Sequence, residues 1–407
     1  GLALVPLMTT QFGLTFEQAI AMSAMSGFLI GIAPIAFGEP YAPGWVTPAL
    51  PLVLTFVLAG YETPVERFQA MAALTIVLTT MLAVFGVTGI GRWLMNILPN
   101  ALKAGIIMGA AIAAFKRVFV DDAQEYLLAQ PISTILACSI CLILIFSIPL
   151  QGLKQRYSWL AWVASLGLLP GFLAAAFIGP LVGEVTYNIE WGILIPPFVE
   201  TWAKVSPFAI GWPSVDMLLA AAPLSLIIYI LVFGDLITGN EIIREAGENR
   251  PDEKIDINTT RTHLSLAIRN GIMAIAAPFS PTQGSLWTGV HVVIVQRWRE
   301  GPQTMNSLHS GIASYYFMGL PFIYFLLPLL TGLKPLFGVA LTLTLFLTGF
   351  ACAYVAMAMT RQPTERGVVL LTGMSLALFE PWIGLLVGIV ATVLLVGRDE
   401  QTENDAA

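Results

Sequence analysis

Stretches of this chain that run for twenty residues or more without one Asp, Glu, Lys or Arg include 18–38, 40–61, 68–91, 131–153, 157–183, 310–333 and 335–360. A helix needs roughly 20 apolar residues to cross a hydrocarbon core, and each run is long enough. The apolar pattern predicts about fourteen segments. These are 1–12, 15–37, 42–61, 66–90, 96–115, 130–150, 157–183, 213–243, 261–279, 285–298, 307–330, 333–359, 364–379 and 381–397. The first is short, and an upstream segment is expected before Gly1. The fold class predicted is an all-α polytopic membrane protein.

Composition agrees. Of 407 residues, 57% are hydrophobic and 11% charged, against roughly 25% charged in a soluble domain. Charge placement adds orientation. Arg67, Lys116, Arg117, Lys204 and Lys334 fall on one side of the predicted segments. The other fourteen of the nineteen Lys and Arg, among them Arg92, Arg244, Arg250, Arg269 and Arg297, fall on the opposite side or at its helix ends. By the positive-inside rule that side is cytoplasmic, with both termini, and the expected location is a bacterial inner (plasma) membrane. Basic nucleic-acid patches are absent. Cys138, Cys141 and Cys352 lie in apolar runs and read as packing residues, with no metal site.

Two segments break the apolar pattern. "FGEPYAPGWVTPALPLVLTF" (37–56) carries Pro40, Pro43, Pro48 and Pro51, and "FSPTQGSLWTGV" (279–290) crowds Pro, Thr, Gln, Gly, Ser and Trp before the short run "VHVVIVQRW". Unpaired backbone at membrane depth must be satisfied by protein or line a cavity. Broken helices at matching places in two halves point to a transporter's binding site. The breaks therefore predict two half-helices, each with N-terminal amides able to hold an anion or a carbonyl oxygen.

Within "SLIIYILVFGDLITGNEIIREAG" (225–247), Asp235 stands far from any basic residue. A carboxylate there costs about 3 kcal/mol on insertion scales, and such residues mark ion coupling or substrate contact. Thr238 and Glu241 follow at helical spacing, Glu241 with the alternative of a hydrated helix end near Arg244. His291, after the second break, is a candidate proton carrier. Glu39, Glu380, His263 and His309 read as interfacial or loop-flanking, and "AGIIMGAAIAA" (104–114) as a small-residue packing face. An enzyme would need His, Asp or Ser/Lys clustered at one depth, and a channel polar stripes along several spans; neither pattern occurs.

Several pieces together resemble the nucleobase–ascorbate (uracil/xanthine) permeases, whose seven-plus-seven inverted-repeat fold is shared with sulfate permeases and bicarbonate/anion exchangers. "WLMNILPNALKAGIIMGAAIA" resembles their fifth helix, "THLSLAIRNGIMAIAAPFSPTQGSLWTG" the ninth and the entry to the tenth, "WVTPAL" the entry to the third, and "FGDLITGNEI" the eighth. The resemblance implies two inverted repeats, with short strands before both half-helices. It divides the chain into a core (1–90 and 213–331), a gate (91–212 and 332–398) and a cytoplasmic tail (399–407), with a homodimer formed through the gate.

The implied substrate site comprises Trp45, Val46, Thr47, Asp235, Thr238, Gln283, Gly284, Ser285, Leu286, Trp287 and Thr288, with Asp235, Glu241 and His291 as coupling residues. The permeases place Glu or Gln, then Asn, at the start of the tenth helix; Leu286 and Trp287 stand here, and no carboxylate occurs from 270 to 299. The function expected is a secondary transporter of a small planar or anionic solute working by alternating access. It is expected to be a proton symporter through Asp235, with sodium as the alternative coupling ion and no other cofactor. A sulfate-permease-like or bicarbonate-like anion carrier or exchanger is the second reading.

Overall fold

The structure, a computed structural model, describes residues 1–279, 282–309 and 320–397. It is helical almost throughout. In chain order the helices are α1 (Val5–Thr10), α2 (Phe16–Phe37), α3 (Leu50–Gly60), α4 (Pro64–Thr88), α5 (Ile90–Ile97), α6 (Asn100–Lys116), α7 (Pro131–Phe146), α8 (Ile148–Arg156), α9 (Ser158–Ser165), α10 (Leu169–Leu181), α11 (Phe198–Val205), α12 (Pro207–Ile210), α13 (Val215–Gly247), α14 (Thr259–Ala276), α15 (Thr288–Arg299) and α16 (Pro302–His309). After them the long helices are Phe337–Ala358, Pro363–Leu378 and Pro381–Leu395.

Among the described residues four helical stretches cross a membrane by length and apolarity alone: Phe16–Phe37, Pro64–Thr88, Val215–Gly247 and Leu327–Ala358. The chain is an integral membrane protein of polytopic helical architecture. Three helix pairs are bent: α5 meets α6 at 96° and α7 meets α8 at 67°, close to the ends of the expected segments 96–115 and 130–150, while α9 meets α10 at 83° inside the segment 157–183 expected as one span. Each bend has a local cause. Pro99, Pro149 and the Gly167–Pro170 stretch interrupt the i→i−4 bonding on which a straight helix depends. Of the expected segment 307–330, residues 310–319 lie outside the described residues.

Two packed groups emerge. In the first, α4 lies between α13 and α14, and the α4–α14 approach is close enough that a Cβ on Gly86 would stand 2.4 Å from His263 Cβ. His263 is spent on packing there, bonded to Tyr229 Oη at 3.0 Å and the Thr259 carbonyl at 2.8 Å. In the second, α6 packs against Phe337–Ala358 and Pro363–Leu378. The small-residue face at 104–114 makes this contact: a Cβ on Gly105 would meet Thr372 at 2.7 Å, and one on Gly109 would meet Leu376 at 2.9 Å.

α3 and α15, the helices that follow the two breaks, have 11 and 12 residues. At 1.5 Å per residue they reach roughly 17–18 Å, little more than half a hydrocarbon core. The expected strands before them are reduced, among the described residues, to one antiparallel bridge between Trp45 and Gln283. Pro43 and Pro48 have no N–H for a ladder, and the Asn270 side chain occupies the donor and acceptor of Gln283.

Candidate functional site

The two breaks cross each other. Val46 donates its N–H to the Thr282 carbonyl at 3.1 Å, Gly284 to the Gly44 carbonyl at 2.7 Å, and Trp287 to the Ala42 carbonyl at 2.7 Å. The bridged residues precede the starts of their helices by the same interval, Trp45 before Leu50 and Gln283 before Thr288. An antiparallel pair has local two-fold character, as the expected inverted repeat requires. Glycine is required at the crossing: a Cβ on Gly44 would stand 2.8 Å from Trp287 Cβ and 3.1 Å from its Cα.

Side-chain caps mark some helix starts and not others; α6 and α11, like the two half-helices, have none. Thr15, Thr63, Ser214 and Asn258 cap α2, α4, α13 and α14 with side-chain oxygens. No side chain caps α3 or α15. The first amides of a helix lack partners within it and carry the positive end of its dipole. Beside them the Ser285 hydroxyl is buried and has no hydrogen-bond partner among the described residues. Chemically, the crossing offers donors to a ligand, and the two breaks carry one carboxylate, Glu39, at the start of the first.

α14 and α2 form the backing. Arg269 donates from Nη1 to Gln283 Oε1 at 3.1 Å and from Nη2 to the Gly284 carbonyl at 3.2 Å. Gln283 Nε2 donates to Ser26 Oγ at 3.1 Å, and Trp45 Nε1 donates to the same oxygen at 2.8 Å. Two expectations are corrected here. Arg269 is not a cytoplasmic helix end but 1% exposed within α14, and Glu39 is not interfacial but 7% exposed, accepting from Thr262 Oγ1 at 2.8 Å. Both polar side chains find partners on the breaks or on α14, which is why the interior holds them.

α13 closes another side. Gly239 packs against Tyr41 and Leu286 of the two breaks, and the Tyr41 hydroxyl donates to Asn240 Oδ1. Asp235 lies one turn earlier on the same face, half-buried and within electrostatic range of Cys352 in Phe337–Ala358. His291 Nδ1 accepts the Ala42 N–H at 3.4 Å, which places its ring proton on Nε2. His291 thus joins α15 to the first break.

The other expected residues separate. Val46, Gln283, Gly284, Ser285 and Leu286 are buried in the crossing, and Thr47 opens the turn into α3. Trp45 turns its indole toward Ser26, while Trp287 is 47% exposed. Both tryptophans line a cavity of about 230 Å³, together with Pro43, Gly44, Ile30 and Tyr324; neither Asp235 nor Thr238 reaches it. Thr238 is exposed and donates to its own helix at Gly234. Glu241 is not drawn into the site: it is exposed and paired with Arg244 at 2.6 Å. The side chains of Thr288 and His309 lie outside the described residues. Arg269, Asn270, Ser26 and Tyr41 were not anticipated. The signal for the first was an arginine with no acid near it in "LSLAIRNGIMAIAA".

No protein-family model and no curated protein matches this sequence. Solved structures do match in fold. The transmembrane domain of a cyanobacterium bicarbonate transporter, BicA, superposes with a TM-score of 0.55 at 12% identity, over 95% of this chain and 93% of that one. Murine Slc26a9, an anion transporter in the inward-facing state, gives 0.51 at 12% identity over 97% of this chain. A further SLC26A9 structure gives 0.51 at 13% identity, also over 97%. This chain spans 65% and 63% of those two longer proteins. The likeness shows a shared transmembrane fold.

Proposed function

We propose that this chain is a secondary transporter that carries a small anion by alternating access. The substrate sits where the half-helices α3 and α15 begin, against the Asp235 face of α13. One observation carries the reading: two helix starts without side-chain caps are held at a single backbone crossing, with no carboxylate from 270 to 299. Helix starts brought together present the positive ends of their dipoles, which favours negative charge. The anion-transporter names of the fold neighbours agree with this choice. Asp235 is the coupling group in this reading. Carrying a proton, it admits an anion without repulsion; sodium is the alternative coupling ion.

A planar solute, as the permease resemblance implies, is the second reading, and the cavity beside Trp45 and Trp287 favours it. Thermal-shift measurements on the purified protein with bicarbonate, sulfate, acetate, uracil and xanthine separate the two. Stabilisation by an oxyanion or carboxylate alone supports the anion reading, and stabilisation by a nucleobase alone replaces it. A homodimer through the gate helices, both termini in the cytoplasm and residence in a bacterial inner membrane complete the proposal. Crosslinking in native vesicles and terminal protease protection test those points.

A further inference from the structure

The grip of α14 on the second break is stronger than packing requires. Four hydrogen bonds fix two consecutive residues. Arg269 holds Gln283 Oε1 and the Gly284 carbonyl at 3.1 and 3.2 Å. Asn270 donates to the Gln283 carbonyl at 3.0 Å and accepts the Gln283 N–H at 2.9 Å. Gln283 passes the contact through Ser26 to Trp45, so the same grip reaches the first break.

The arginine is an expensive way to hold a loop. Its guanidinium is 1% exposed, and both of its hydrogen bonds go to neutral oxygens. No carboxylate forms an ion pair with it among the described residues. Glu39 acts on it only at longer range. A desolvated cation without a contact ion is costly and is seldom kept where a neutral side chain would serve. What arginine offers is a rigid fork that spans two acceptors, with a fixed positive charge behind them.

We propose that Arg269 is a positioning residue for the anion site. Its fork fixes the Gln283 side chain and the Gly284 carbonyl, and through them the entry to α15. The guanidinium itself touches no substrate, being committed behind the crossing. Asn270 is the second half of the same grip. The inference rests on the anion-carrier reading for its consequence in binding, though not for the grip itself.

The test compares wild type, Arg269→Lys and Asn270→Asp in lipid nanodiscs. Lysine keeps the charge but, as a point donor, cannot span both oxygens; aspartate keeps the shape and removes the donor to the Gln283 carbonyl. Two readouts are taken: affinity for bicarbonate and for sulfate, and amide hydrogen exchange across 282–291. Expected for either variant is about tenfold weaker anion affinity, the scale of one charge-assisted bond. Faster exchange confined to the break should accompany it, without a matching fall in Tm. A lowered Tm with unchanged affinity and unchanged exchange marks a merely structural arginine and overturns the proposal. If Arg269→Lys does not fold, Asn270→Asp decides by the same criteria. If wild type binds neither anion, the carrier reading fails separately, and unchanged exchange in the variants still overturns the grip.

Discussion

Gly44 and Asp235 show how much depends on single side chains, one through what it lacks and one through its charge. An alanine at 44 places its Cβ against the Trp287 backbone, where nothing flexible can yield. Overpacking of this kind costs about 1–3 kcal/mol. Gly44→Ala should therefore lower Tm and weaken substrate binding together, whereas alanine at Gly338, which meets nothing within 4 Å, should change neither. Asp235 is tested by Asp235→Asn. Proton-gradient-driven accumulation should be lost while substrate counterflow persists; unchanged accumulation removes Asp235 from coupling. Residues were also where the sequence was hardest to read. Asp235 and the glycines could be singled out because charge and missing side chains stand out in an apolar run. Arg269 counted as a helix-end cation and Glu39 as interfacial, because burial beside partners 14 or 223 positions away leaves no local pattern.

At the scale of elements, legibility was uneven for physical reasons. Long apolar runs marked α2, α4 and α13 closely, since length and polarity suffice for a membrane helix. The bends at Pro99 and Pro149 and the loss of the strands were not legible: they depend on where neighbouring backbone and the Asn270 side chain lie. The loop after α13 yields an element-scale prediction. Arg250 bonds Asp252 and Glu253, and Trp298 Nε1 donates to Glu253 at 2.9 Å, strapping the loop to the end of α15. The hydrogen bond from Arg250 holds the Asp252 carboxyl below its ordinary range. A carboxylate with a depressed folded pKa stabilises above its unfolded value and loses that contribution as pH falls through the folded one. Proteolysis at 248–258 should thus be slow and flat at neutral pH and accelerate only in strong acid. Arg250→Gln should remove that acid dependence and leave the loop cleavable at pH 7.

Across the whole molecule, the two packed groups and the crossing between them form one arrangement: α4, α13 and α14 carry the breaks, while α6 with Phe337–Ala358 and Pro363–Leu378 forms a separate close-packed unit. In the proposed carrier, alternating access moves these units against each other as bodies, so contacts within a unit should tolerate less than contacts between them. Gly105→Leu, which drives a side chain into Thr372, should unfold the second unit and abolish expression of monodisperse protein. Size-exclusion chromatography reads this directly. The central claim, carriage of a small anion driven by protons, is tested most directly by uptake into proteoliposomes with an imposed pH gradient, using radiolabelled bicarbonate, sulfate, acetate and uracil. The account predicts saturable accumulation of at least one of the anions when the lumen is made alkaline, and collapse of that accumulation on adding a protonophore. No anion uptake above protein-free liposomes, or accumulation of uracil alone, would contradict it.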